Sequence, residues 1–127
     1  MLNVLIAAHS PADQGRLARA LQPIEGVKVI GCASDAGDAT TLLDKLQPDV
    51  VVLDAEWREG DSGLGLFSHV VRHSPEVEVL VLSNFTWDSV RASFLSSGAR
   101  AYFDKPNGFP HAMDWIAQRA HARPPQP

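Results

Sequence analysis

The segment Val50-Val51-Val52-Leu53 constrains the fold more than any other stretch of this chain. Four adjacent aliphatic residues, three of them β-branched, leave no polar position between them. A strand whose inward and outward positions are all apolar has to be buried on both faces, as in a parallel sheet covered by helices. Pro48 and Asp49 lead into the run and Asp54 ends it. A similar run, Val4-Leu5-Ile6-Ala7-Ala8, stands near the start. Residues 27–33, 77–82 and Ala101-Tyr102-Phe103 repeat the pattern in shorter or more broken form.

Amphipathic stretches separate these runs. Ser10 is the expected N-cap of a first helix, with Pro11 at its first position, Asp13 near its positive end, and Leu17 and Leu21 on one face. Residues Asp35 to Asp38 offer caps for a second helix. There Ala39, Leu42, Leu43 and Leu46 follow helical spacing until Pro48 stops it. A polar loop from Glu56 to Gly63 precedes a third helix carrying Leu66, Phe67, Val70 and Val71. The fourth is expected from about Trp87 to Ser97, burying Val90 and Phe94, with Gly98 as its left-handed stop. The fifth is expected to start near Phe109 and to align Phe109, Met113, Ile116 and Ala120. Five βα units in a row predict one doubly wound α/β domain over residues 1–122. Residues 123–127 form a proline-rich tail that should fray.

Composition excludes several classes of function. Fifteen acidic residues against eleven basic ones give a net charge of -4, and no basic run offers the phosphate backbone of nucleic acid a footing. The longest apolar runs fall far short of the roughly 20 residues of a membrane span. The first residues lack the basic start of a secretory signal. The single cysteine, Cys32, excludes an intramolecular disulfide and fits a reducing, cytoplasmic compartment. On a strand it reads as a small buried core residue. His69 and His73 stand four apart on a helix, a metal-compatible spacing, but no third ligand lies nearby in sequence. Trp57, Trp87 and Trp115 serve either packing or a partner surface.

In open parallel sheets the functional crevice lies beyond the carboxyl ends of the strands. Asp54, Ser83 and Lys105 all fall at such ends. A carboxylate there can attack phosphorus, and a hydroxyl and an ammonium can hold the transferred oxygens. Three segments carry a family resemblance: Pro48-Asp49-Val50-Val51-Val52-Leu53-Asp54, Val79-Leu80-Val81-Leu82-Ser83, and Gly98-Ala99-Arg100-Ala101-Tyr102-Phe103-Asp104-Lys105-Pro106. In this order and spacing the chain resembles the receiver domain of bacterial two-component response regulators over essentially its whole length. The resemblance implies a flavodoxin-like (βα)5 fold with a five-stranded parallel sheet in the order 2-1-3-4-5. It implies a phosphorelay switch rather than an enzyme. Asp54 is then the phosphorylation site, Ser83 and Lys105 stabilise the phosphoryl group, Tyr102 is the aromatic switch, and Pro106 follows a cis bond. The implied partners are a sensor histidine kinase or phosphotransfer protein, and a downstream protein reached through helix four, strand five and helix five. Nucleic acid and membrane are not among them.

The departures from the family pattern concern the metal. Receivers place two carboxylates after strand one to hold Mg²⁺, and those positions here are Ala8 and His9. Mg²⁺ takes hard oxygen ligands in an octahedron, and imidazole is a poor substitute. With Asp54 and Glu56 as the remaining ligands, Mg²⁺ is expected to bind weakly or not at all. Arg58 stands where a proline is common, the loop to Gly63 is one residue longer, and Asn84 replaces a common Ala or Gly. Two functions follow. One is a single-domain response regulator phosphorylated on Asp54, with output by protein contact. The other is a degenerate receiver that binds a protein partner without phosphorylation. An FMN-binding relative of the same fold would need a hydroxyl- and glycine-rich loop after strand one, which Ala8-His9-Ser10-Pro11-Ala12-Asp13 does not provide.

Overall fold

The computed structural model describes residues 1–55, 63–84 and 88–122. Strands and helices alternate along the chain: β1 (Leu2–Ala7), α1 (Pro11–Leu21), β2 (Val27–Ala33), α2 (Ala36–Leu46), β3 (Val50–Asp54), α3 (Gly63–His73), β4 (Glu78–Ser83), α4 (Asp88–Ser96), β5 (Ala101–Asp104) and α5 (Lys105–Ala122). All neighbouring strands pair in parallel, in the order β2-β1-β3-β4-β5. This is the flavodoxin-like topology implied by the sequence.

Side-chain alternation divides each apolar run between two cores. Leu5, Val51, Leu53, Val79, Val81 and Tyr102 pack on one side of the sheet against residues of α2, α3 and α4, including Leu43, Phe67 and Phe94. Val4, Ile6, Val50, Val52, Leu80 and Leu82 face the other side, against Leu17, Leu21, Ala112 and Ile116 of α1 and α5. The unbroken runs are thus one layer shared by two cores. Each large aliphatic side chain buried there contributes about 1.5–3 kcal/mol relative to exposure.

Local chemistry sets the helix ends. Ser10 Oγ accepts from the backbone N–H of Ala12 at 3.1 Å and of Asp13 at 3.4 Å, and Asp35 Oδ1 accepts from Asp38 N–H at 2.7 Å. Gln47 ends α2 in the left-handed region at φ 50°, its N–H donating to Leu43 O. Gly98 adopts φ +119° after α4, a conformation that a side chain would strain.

Three expectations need correction. Helix α5 begins at Lys105, four residues before Phe109. Pro106, Gly108 and Pro110 read as breakers, but they fall in its opening turns, where the missing N–H of Pro106 has no helical acceptor to lose. Asp104 Oδ2 accepts from Asn107 N–H at 3.2 Å and caps this early start. The peptide bond before Pro106 is trans, not cis, because Lys105 already lies in the helix and helical turns are built from trans peptides. Cys32 is exposed rather than buried, because β2 is an edge strand covered less completely than the centre. The core face expected for α5 does occur: Ile116 is fully buried, with Phe109, Met113 and Ala120 packed beside it.

The rings of His69 and His73 lie 4.5 Å apart. Among the described residues no group of three or more His, Cys, Asp or Glu side chains is placed to hold a metal ion, and no helix is long and apolar enough to cross a membrane. Trp115 is half-buried beneath the Arg119 guanidinium, 4.5 Å from its ring centre. The readings of Glu56, Trp57, Arg58, Trp87 and the tail at 123–127 lie outside the described residues.

Candidate functional site

The carboxyl ends of β1, β3 and β4 and the start of α5 meet at one rim of the sheet. Asp54 closes β3 and is 2% exposed; its register partner on β4 is Leu82. Alternation after Leu53 turns Asp54 toward the α1 and α5 side, where Leu82 also lies. Lys105 follows β5 directly, and its Nζ stands 2.6 Å from Asp54 Oδ1, with the lysine side chain 18% exposed and the aspartate side chain 3%. At that separation and burial the pair is a strong charge-assisted contact. The compensation is needed, since a buried charge without a partner is costly.

Ser83 ends β4 one residue beyond Leu82, is fully buried, and is opposite Asp104 in the β4–β5 register. Tyr102, two residues before Asp104, is buried, with its ring 5.6 Å from that of Phe94. Phe94 in turn meets Phe67 edge-on at 5.3 Å. An aromatic stack therefore runs from β5 through α4 to α3 on the face of the sheet opposite Asp54. Asn84 is exposed at the mouth of the site.

At the end of β1, Ala8 is fully buried; its N–H donates to Ala33 O at 3.0 Å and its carbonyl accepts from Gln14 Nε2 at 2.7 Å. His9 is half-buried, with Nδ1 3.4 Å from Ser34 O. Neither side chain offers a carboxylate. Two residues that sequence reasoning did not place at the site also line it. A cleft of about 260 Å³ beside Asp54 and Lys105 is also lined by Asp13 and Arg16 of α1, with Leu17 and Phe109 as apolar walls. Asp13 Oδ1 and Arg16 Nη2 pair at 2.6 Å. The available signal was their i,i+3 spacing on the first turns of a helix that leaves the rim itself.

The resemblance to receiver domains implies Mg²⁺ at the acceptor carboxylate, so the donors present here can be tested against that metal. Among the described residues the cleft holds two carboxylates, and each already faces a cationic side chain, Lys105 or Arg16. Mg²⁺ usually takes one or two carboxylates together with water and phosphate oxygens in open octahedral geometry. The described donors do not fit an open site of that kind, because both carboxylates are engaged by cations and Ala8 and His9 bring no further acid.

A doubly wound parallel sheet with a carboxylate–lysine pair at its switch-point rim defines the class: a flavodoxin-like domain with an anionic site at the strand ends. The description "Response regulator receiver domain" matches residues 4–117. The chain belongs to that family, the receiver domains of two-component systems. It is similar to the response regulator GacA of Pseudomonas aeruginosa, 29% identical over 118 residues, covering 93% of this chain and 55% of that protein. It is also similar to the response regulator UvrY of Escherichia coli K12, 30% identical over 105 residues, covering 83% of this chain and 48% of that protein. The chain thus spans about half the length of these relatives. The response regulator domain of Thermotoga maritima CheB superposes with a TM-score of 0.84 at 21% identity, covering 98% of this chain and 99% of that one.

Proposed function

We propose that this domain is a phosphoryl-accepting switch in a two-component phosphorelay, with Asp54 as the acceptor. The observation that carries the reading is the 2.6 Å contact between Lys105 Nζ and Asp54 Oδ1 on a carboxylate that is 2% exposed at the strand-end rim. A sensor histidine kinase or phosphotransfer protein supplies the phosphoryl group, and Asp54 attacks phosphorus as a nucleophile. Lys105 then balances charge on the transferred group, and the Ser83 hydroxyl donates to one of its oxygens. Withdrawal of Ser83 toward that oxygen changes the space beside Tyr102, and the α4–β5–α5 face presents the change to a protein target. Residues 1–122 form the folded receiver and 123–127 a tail. The reading includes a cytoplasmic location, weak or absent Mg²⁺ at Asp54 and Glu56, no turnover of a separate substrate, and no contact with nucleic acid through this acidic domain.

A second reading is favoured by Ala8 and His9. With the acidic pair replaced, the domain binds its protein target without phosphorylation. Intact mass after incubation with phosphoramidate or acetyl phosphate decides between the two. The first reading expects a gain of one phosphoryl group in the wild type and none in Asp54→Asn. Failure of the wild type to gain mass with either donor, in the presence or absence of Mg²⁺, rejects it in favour of the second.

A further inference from the structure

Among the described residues, two cationic side chains line the cleft beside Asp54. Lys105 enters from α5 and is committed to Asp54 at 2.6 Å. Arg16 enters from α1 and is paired with Asp13, also at 2.6 Å, but its side chain is 63% exposed. An ion pair so open to water is weak, so the guanidinium leaves it readily. Arg16 is therefore a positive group lining the acceptor cleft that is free to change partner.

The charge count gives this mobility a purpose. Among the described residues, Lys105 is the cation seen paired with the unmodified Asp54. A phosphoryl group on Asp54 carries up to about two negative charges at neutral pH, so Lys105 matches only part of it. Ala8 and His9 do not supply the carboxylates that would recruit a divalent cation to cover the rest. We infer that Arg16 supplies the second positive charge, leaving Asp13 and closing its planar fork on two oxygens of a phosphoryl group at Asp54. Guanidinium geometry suits this task better than a point charge, because two parallel N–H groups match two phosphoryl oxygens. Asp13 acts as the resting partner that holds Arg16 at the rim. The inference rests on Asp54 being the acceptor, and it adds that transfer proceeds without a divalent cation.

The step balances with the donor used to test it. With phosphoramidate, an Asp54 oxygen forms a bond to phosphorus as the P–N bond breaks. The electron pair of that bond stays on nitrogen, already protonated in the zwitterionic donor, and nitrogen leaves as ammonia. Nothing is oxidised or reduced, and no further reactant enters.

Phosphoramidate time courses followed by intact mass, run in EDTA and again in Mg²⁺, test the inference. The proteins are the wild type, Arg16→Gln, Arg16→Lys and Asp13→Asn, each first checked for a cooperative thermal melt. In EDTA the wild type is expected to gain one phosphoryl group. Arg16→Gln should be slower by about tenfold to a hundredfold, the loss expected for one hydrogen-bonding group to a charged partner. Arg16→Lys should recover part of the rate, which a merely structural role would not explain. Asp13→Asn should react faster by up to about fivefold, because it frees the guanidinium from an exposed pair. Equal rates for wild type and Arg16→Gln in EDTA would overturn the inference and leave Asp54 standing as acceptor. So would transfer that requires Mg²⁺ and disappears in Asp13→Asn, since that result makes Asp13 a metal ligand. No mass gain by the wild type in either medium removes the acceptor reading and the role of Arg16 with it.

Discussion

At the residue scale, Asp54 and Lys105 are unequal partners. The aspartate side chain is 3% exposed and the lysine 18%, so removing the lysine takes a counter-charge from a buried carboxylate, whereas removing the carboxylate leaves an ammonium with access to water. Breaking a buried pair from the more buried side's partner typically costs about 3–5 kcal/mol. Lys105→Met is therefore expected to lower stability by about 3 kcal/mol in urea unfolding at neutral pH, with Asp54→Asn in the same chain restoring most of it. Equal stability of Lys105→Met and wild type would contradict this account. The donor set makes a second expectation: tryptophan fluorescence should show no saturation at low millimolar Mg²⁺. Tight binding abolished by Asp54→Asn would mean that ligands outside the described residues complete a metal site. Asp54, Ser83 and Lys105 were legible in the sequence because each is tied to the end of an apolar run, which fixes its height in the sheet. Arg16 was not. Its place in the cleft depends on how α1 leans over the rim, and helical spacing alone does not carry that packing.

At the scale of single elements, the start of α5 is held by a close approach. A Cβ built on Gly108 would lie 3.2 Å from Phe103 Cβ and 3.6 Å from the Phe103 backbone, so a side chain there would push the helix start or Phe103 aside by a few tenths of an ångström. Gly108→Ala is expected to cost about 1–3 kcal/mol through overpacking and to shift the first turn that carries Lys105. Slower phosphoramidate labelling in a folded Gly108→Ala protein would register the shift. The early helix start escaped sequence reading for a related reason. Pro106, Gly108 and Pro110 oppose helix in isolation, and contact with Phe103 and the Asp104 cap override them. The caps Ser10 and Asp35 were legible because capping is local chemistry. On β2, Cys32 reaches solvent, yet partial burial pushes its thiol up from its ordinary value by desolvating the thiolate. Less thiolate at neutral pH means slower reaction. Labelling by a maleimide should be slower than for an unstructured peptide thiol at pH 7, and should still be climbing at alkaline pH where the peptide has levelled off.

At the scale of the whole molecule, the doubly wound architecture was readable from five apolar runs, because a chain of βα units has few ways to cover both faces of one sheet. The order 2-1-3-4-5 came instead from the family resemblance that the strand-end motifs carry. The allocation of side chains to the two cores followed from strand alternation. The two functional readings separate at this scale as well. If the α4–β5–α5 face serves a phosphorylation-driven target, Asp54→Ala should remove the donor-dependent gain in affinity. If the domain binds without phosphorylation, Asp54→Ala should leave affinity nearly unchanged while Tyr102→Leu alters it. Calorimetric titration of one partner with both variants tells the cases apart, since a partner shifts a two-state element only by its differential affinity.

The sheet is also a partition. Asp54 lies with the layer of α1 and α5, whereas Tyr102, Phe94 and Phe67 lie across it with α2, α3 and α4. Between them stand strands packed on both sides, so on the proposed reading a change at Asp54 reaches the aromatics past Ser83, at the top of the wall. Sender and listener occupy separate rooms, each with its own packing. Substitutions such as Ala8 and His9 alter the sender's room at the wall's upper edge and leave the aromatic stack next door undisturbed. On the proposed reading, a chain of this architecture can therefore change how its sender is addressed, with or without a metal, and keep the apparatus with which it answers.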